Sequence, residues 1–576
     1  MMQISTMPRL RGSAYALLAA GVLGACDAPT APGTAAAGGP SLLVTAACAG
    51  TGGQTHAAQH IVTAQTWTRA NSPHRVTGNI DVDSGGRLIV APGAVVCFEP
   101  ATTLRAYNGG RLWARGHDTA QVVLTARDPY RGWYGIVLYG APVGPSYLTN
   151  ARVEHVHFEY TALTTAQQHD VYVDSAVIRQ SGQAVRFGTA GSRLVRSRVD
   201  TTTNRILPAV DLAAGRFEQS VVRGAAGTGV SVDGPGVLLV GGRIEGSGGV
   251  GLRVAYELNP ASRAVRVVGG KTHAAELPLP ALTRMYSTAA LQDSLGGNAS
   301  DSVFVTGGIL RSALTVGARL ALHVRPFGIQ VDSGGSLVLQ PGARMVFGPD
   351  AGITAQNGGR LWSRGSAASP VRLTADDPAL GWYGLGFYSF ATSPSYVTNT
   401  RIDHVRLGGA AVYAPHGHPV IVDSTVIRQS GMGIHLAAQN SRLSRTRVDT
   451  TLDARFPAVY LAGNTRMEST RIRASAGPGL AIWSPYVVVA SCEIRDGDQD
   501  GILMEYYVVP VHNCNLVNNA GAGIRRNPGG AGGAVDVTGN WWGSADGPMG
   551  PGGDGVSGTL VYSPWRTTPF VLPYVP

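Results

Sequence analysis

Lysine is almost absent from the 576 residues. Lys271 is the single one, so arginine carries the formal charge of +10. Charged residues make up only 14 % of the chain. The arginines are dispersed rather than clustered, which favours scattered outer-turn positions over a patch for an anionic partner such as acidic polysaccharide or lipid headgroups. No nucleic-acid-binding motif accompanies the charge, so no nucleic-acid partner is expected. Several catalytic signatures are missing: no Gly-x-Ser-x-Gly elbow, no His-Glu-x-x-His and no Cys-x-x-Cys. Gly270-Lys271-Thr272 looks like half a phosphate loop, but Val265 stands where its first glycine belongs. Long apolar runs are missing too. The one continuous stretch, Ala14 to Ala25, is too short to span a bilayer.

What the chain has in abundance is glycine (78) and proline (34), with Val, Leu, Ile and Thr in short bursts between them. Few segments are long, glycine-free and helically periodic, so the expected class is all-β, with short strands and many turns. The length suits one elongated solenoid.

Arg9 and Arg11 followed by the apolar run form a secretory signal. Its end, Leu23-Gly24-Ala25-Cys26, resembles the lipobox of bacterial lipoproteins. That resemblance implies cleavage before Cys26, lipidation of its thiol and a membrane partner through that anchor. Residues 27 to about 47, rich in Ala, Gly, Pro and Thr, read as a flexible tether. The expected location is the cell envelope outside the cytoplasm, either periplasmic or at the cell surface.

Val82-Asp-Ser-Gly-Gly86 returns as Val331-Asp-Ser-Gly-Gly335, an offset of 249 residues. The same offset links Asn108-Gly-Gly-Arg-Leu-Trp113 to Asn357-Gly-Gly-Arg-Leu-Trp362, and Val177-Ile-Arg-Gln-Ser-Gly182 to Val426-Ile-Arg-Gln-Ser-Gly431. This is an internal duplication. Inside each copy runs a shorter period of about 22 residues: Val426, Val448, Ile472, Ile494 and Leu516, each with a small residue two places earlier (Ser424, Thr446, Thr470, Cys492, Cys514). The first copy has Val177, Val199, Val222 and Ile244. Alternate strand residues share a face, so each pair should place one small and one large side chain inside a coil. Roughly 16 to 18 stacked coils are expected.

The ladder resembles the pectin-lyase-like right-handed parallel β-helix superfamily over about residues 75 to 565. The phrases Gly86-Arg-Leu-Ile-Val-Ala-Pro-Gly-Ala, Trp133-Tyr-Gly-Ile and the tail Gly539-Asn-Trp-Trp-Gly543 also resemble bacterial β-helix surface proteins. The expected organisation is a signal peptide (1–25), lipidated cysteine and tether (26–50), first β-helix copy (51–268), connecting insertion (269–310), second copy (311–530) and C-terminal cap (531–576).

Enzymes of the superfamily use outer-face carboxylates with arginine, and sometimes calcium. The matching candidates are Asp174 and Asp200 beside Arg179, repeated as Asp423, Asp449 and Arg428, with Glu154-His155 and Asp403-His404 as a second cluster. Their presence in both copies favours a structural role over a single catalytic cleft. Asp496-Gly-Asp498-Gln-Asp500-Gly501 resembles the start of a Ca²⁺ loop, but Tyr507 occupies the twelfth place, where Glu is required. A solvated turn is the competing reading there. Trp113, Trp133 and Tyr134, with Trp362, Trp382 and Tyr383, are expected as core or corner fillers. Tyr506 and Tyr507 occur once and are ligand candidates. Cys492 and Cys514, one coil apart, are within reach of a disulfide or sit as buried thiols, and a tie of Cys48 to Cys97 between the cap and the first coils is one open reading of that pair. The resulting expectation is a surface scaffold or carbohydrate-binding, adhesive module. A cell-surface polysaccharide lyase or glycoside hydrolase is the alternative.

Overall fold

The computed structural model describes residues 48–49, 52–263, 265–286, 294–507, 509–529 and 533–572. The signal, Cys26 and almost all of the tether lie outside them. Every named strand pair is parallel, and the strands stack into a β-solenoid of about 22 turns with almost no helix. The turn count exceeds the expected 16 to 18 because coils with irregular spacing, and strands within 269–310, join the same stack.

Each coil lays one short strand on each of three faces. In the first half, face one holds ten strands, among them Val95–Phe98, Val122–Ala126, Ala151–Glu154, Val177–Ser181 and Arg198–Thr202. Face two includes Ile80–Val82, Leu104–Ala106, Gln183–Phe187 and Val210–Leu212. Face three holds eight strands, among them Arg87–Val90, Arg111–Arg115, Ser146–Thr149, Val171–Asp174 and Arg193–Val195. Strands this short are stable because each is paired above and below and buries alternate side chains.

The interior column on face one runs Ile178, Val199, Val222, Ile244 and Val267, all buried. In the second half it starts at Ile427 and continues through Val448, Ile472, Ile494 and Leu516. The periodicity therefore misplaces its first member in each copy by one residue: Val177 and Val426 face outward, while Ile178 and Ile427 fill the core. The small column beside it is a hydrogen-bonded spine. Ser197 Oγ accepts the Ala176 amide at 3.1 Å and donates to Val195 O at 2.8 Å. Ser220 does the same for Ser197 and Glu218, and Thr446 for Thr425 and Ser444. The corner bends the backbone out of the ladder, and the hydroxyl supplies the acceptor that the buried N–H would otherwise lack. Cys492 and Cys514 continue this spine as a disulfide with Cα atoms 4.4 Å apart, and Cys48 is bonded to Cys97.

The two halves do not stack in phase. The last face-two strand of the first half, Leu252–Val254, pairs with His273–Pro278, which pairs with Ser300–Thr306 and then Ala321–Val324 and Arg344–Phe347. Arg344–Phe347 is the counterpart of the face-one strand Val95–Phe98. Face two of the first half thus continues as face one of the second, and the repeat advances one face around the rod. A helix, Leu279–Met285, fills the place of a strand at this step. It buries Leu279, Ala281, Leu282 and Met285, and Arg284 Nη1 donates to Leu258 O at 2.8 Å. Beyond it begins face two of the second half, at Gly308–Leu310.

At the far end, residues 533–572 cover the last coils. Asn540 donates to Val511 O and Val537 O, both at 2.7 Å, Trp542 is fully buried, and Asp554 accepts from Asn519 at 2.6 Å. Among the described residues no helix is long and apolar enough to cross a membrane.

Candidate functional site

The face-one candidates are parts of an ion-pair ladder. Glu154 is fully buried and held by Arg152 and Arg179, each at 2.6 Å. Arg198 binds Asp200, and Arg223 binds Glu245 at 2.8 Å. The second half repeats this: Arg401 with Asp403 at 2.6 Å, Arg447 with Asp449 at 2.6 Å, Arg428 with Asp449 at 3.6 Å, and Arg471 with Glu493 at 3.1 Å. Asp174 and Asp423 lie on face three instead, bound to Arg196 and Arg445. The structure therefore does not unite Asp174 with Asp200, or Asp423 with Asp449, into a carboxylate pair. His155 is buried next to Glu154, and burial pushes its pKa down.

The calcium reading is corrected as well. Asp500 is bound by Arg525 at 2.6 and 3.0 Å, and Asp496 by Arg495 at 2.7 Å and Asn518 at 3.3 Å. Asp496, Asp498 and Asp500 do not converge, and among the described residues no group of three His, Cys, Asp or Glu side chains gathers to hold a metal.

Trp133 and Trp382 are core residues, stacked on Phe98 at 3.9 Å and Phe347 at 4.3 Å. Trp113 and Trp362 instead point outward on face three, half-buried beneath arginines.

The feature that stands apart is a groove of about 1100 Å³ on face two of the second half. The outward column here reads Ile309, Gln330, Thr354, Gly386, Tyr413, His435, Tyr460, Ala481 and Leu503. Tyr388, Trp483 and Tyr506 follow just after their strands and lean onto that column. The rings form an unbroken run: Tyr388 to Tyr413 at 5.9 Å, Tyr413 to His435 at 4.7 Å and His435 to Tyr460 at 4.3 Å. It continues from Tyr460 to Trp483 at 5.9 Å and from Trp483 to Tyr506 at 5.2 Å. It crosses six coils, roughly 24 Å along the rod at the strand spacing. Gly386 makes room for its start, since a Cβ there would meet the Tyr388 ring at 2.7 Å.

The loops flanking the groove are pinned. Asp453 accepts from Arg455 at 2.8 and 2.6 Å and from the Gly408 amide at 3.1 Å, joining two walls. Arg455 holds the Asp453 carboxyl down at about 2. Arg406 lies 3.8 Å over the Tyr383 ring. Burial lowers the pKa of His435 to about 4, so this ring is neutral through the physiological range. A floor of neutral rings in a shaped trough suits the flat apolar faces of sugar rings, with charged groups only on the walls.

Of these residues only Tyr506 and Tyr383 were singled out from the sequence. The signal was nonetheless present: Tyr388, Tyr413, His435, Tyr460, Trp483 and Tyr506 recur every 22 to 25 residues, the period of the coils themselves.

Residues 383–541, which include this whole run of rings, match the family model described as "Right handed beta helix region". The described residues fold as a right-handed parallel β-helix. No curated protein matches its sequence.

Proposed function

We propose that this β-helix is an exported, lipid-anchored envelope protein that binds polysaccharide along the aromatic groove of its second half and acts as a surface scaffold or adhesive module. The observation that carries this reading is the continuous run from Tyr388 to Tyr506, which offers a row of stacking surfaces to an extended chain. The carboxylates that would have served a lyase or hydrolase are engaged with arginines on faces one and three, away from the groove. The anchor reading rests on the apolar run and Cys26.

The test is calorimetric titration of residues 26–576 carrying Cys26→Ser with neutral and acidic polysaccharides, assaying new reducing and unsaturated ends in parallel. The double variant Tyr460→Ala, Trp483→Ala should lose roughly 30- to 100-fold in affinity at unchanged melting temperature. Unchanged affinity overturns the groove as the binding site. New ends released by the parent protein overturn the non-catalytic reading in favour of a lyase or hydrolase.

A further inference from the structure

Face three of the first half carries a second built surface. Arg87 lies 3.8 Å over the Trp113 ring, and Arg115 covers both Trp113 at 4.7 Å and Tyr147 at 3.7 Å. Arg193 covers Tyr172 at 3.6 Å. Arg111 is fixed by donating to Val143 O at 2.7 Å. The rings meet edge to face, Trp113 with Tyr147 at 6.1 Å and Tyr147 with Tyr172 at 5.4 Å. Trp113, Tyr147, Tyr172 and Arg193 occupy one column on successive strands.

These arginines differ from most of those on face one. Arg152, Arg179, Arg198, Arg223 and Arg243 each have a carboxylate. Among the described residues none pairs with Arg87, Arg111, Arg115 or Arg193. Asp174, an acid on the same face, is taken by Arg196. A guanidinium resting on a ring keeps its in-plane N–H groups free, and these match the oxygens of carboxylate, sulfate or phosphate. In the second half the set is incomplete. Ser336 stands for Arg87, Ile421 for Tyr172, and Arg442, the counterpart of Arg193, is bound by Glu468.

The one-face advance at the junction decides where this surface lies. Face three of the first half continues through the segment 257–263 and the helix Leu279–Met285 to Gly308–Leu310, the first strand of face two in the second half. The arginine surface and the aromatic run therefore share one side of the rod, with about 38 Å from the coil of Arg193 to that of Tyr388 at the strand spacing. Beyond Arg193 the paired outward positions on this side are Arg216 and Leu238, the 257–263 segment follows with Glu257 exposed, and the groove's own column then starts at Ile309, Gln330 and Thr354.

We infer that Arg87, Arg111, Arg115 and Arg193 form an anion-binding subsite for the same glycan that the groove holds, so that the ligand is a long acidic polysaccharide lying along this side of both halves. The inference rests on the glycan reading of the groove. Bridging two sites on one rigid rod raises the effective concentration for the second contact and favours long chains over short ones.

The test compares three forms of residues 26–576 carrying Cys26→Ser: the parent, the groove variant Tyr460→Ala, Trp483→Ala, and the arginine variant Arg87→Gln, Arg115→Gln, Arg193→Gln. Arg223→Gln, which breaks a face-one ion pair, is the control, and melting curves check folding. The probes are long polygalacturonate, trigalacturonate, neutral glucomannan and phosphatidylglycerol vesicles. The arginine variant should lose roughly 100-fold for long polygalacturonate, at about five-fold per guanidinium, and keep its affinity for glucomannan. Trigalacturonate should bind the parent far more weakly than the long chain. Parent-like binding of long polygalacturonate by the arginine variant overturns the subsite and leaves the groove intact. Full binding by the groove variant overturns the groove reading instead. Arginine-dependent vesicle binding without polygalacturonate binding makes this face a lipid contact and overturns the inference.

Discussion

The two halves of the rod are alike inside and different outside. Phe98 on Trp133 is matched by Phe347 on Trp382. Ser146, which accepts the Leu112 amide and bonds His169 at 2.8 Å, is matched by Ser395, Leu361 and His418 at 2.9 Å. The outward column of face two shares almost nothing. Where the first half has His60, Asp81, Arg105, Arg186, Asp211 and Arg253, the second has Ile309, Gln330, Thr354, His435, Tyr460 and Leu503. In the first half these groups pair along the column, Arg105 with Asp81 at 2.6 Å, Arg186 with Asp211 at 3.4 Å and Arg253 with Glu276 at 2.9 Å. An inward residue must fit the coils above and below it, so a change there strains neighbours on both sides. An outward residue meets only solvent and its column, so one scaffold can carry an ion-pair ladder in one half and an aromatic groove in the other.

The comparison breaks most visibly in the core. Trp133→Ala and Trp382→Ala each remove a fully buried ring and should cost about 3–5 kcal/mol of the stability of their own half, read by chemical denaturation. A marked inequality between the two would show that the interiors are not equivalent. Next comes a transplant. His435→Arg with Tyr460→Asp installs the first half's Arg186 and Asp211 in the groove, and should cut polysaccharide affinity at least ten-fold while moving stability by no more than about 1 kcal/mol. A large loss of stability would mean that the outward column is not free to vary.

The smallest effect depends on pH. Burial, and then the neighbouring Asp233, raise the Asp211 carboxyl from 3.8 to about 6. The folded state therefore holds this proton more tightly than the unfolded chain does. Stability from this group is present below about pH 4 and is lost as pH rises through 6. Asp211→Asn should match the parent at pH 4 and be more stable by about 1–2 kcal/mol at pH 7.5, measured by urea titration at both values. An equal difference at both pH values would exclude the linkage.

The all-β class, the duplication and the coil period were legible because each leaves a one-dimensional trace: an exact offset, a glycine phase, a small-x-apolar pair. The misplaced first rung at Val177 and Val426 shows the limit of that trace, since two adjacent aliphatic residues satisfy the period equally and only the corner geometry selects Ile178 and Ile427. The carboxylate candidates were legible as residues but not as partners, because Arg198 and Arg447 lie two places from Asp200 and Asp449 on the same strand and take them first. The arginine surface was hidden for the opposite reason. Positions 87, 111, 115 and 193 look scattered along the chain, and only stacking gathers them on one face. The aromatic run lay between these extremes, periodic in the sequence yet unread because its members differ in kind.

The junction turns a duplication into a screw operation. One copy following another does not simply lengthen the pattern but rotates it by a face, so each added copy would present its surfaces on a new side. A third copy joined in the same way would occupy the remaining orientation, and a fourth would return to that of the first. Copy number thus sets the directions in which equivalent surfaces point, a property of the assembled rod that no single substitution within a coil changes.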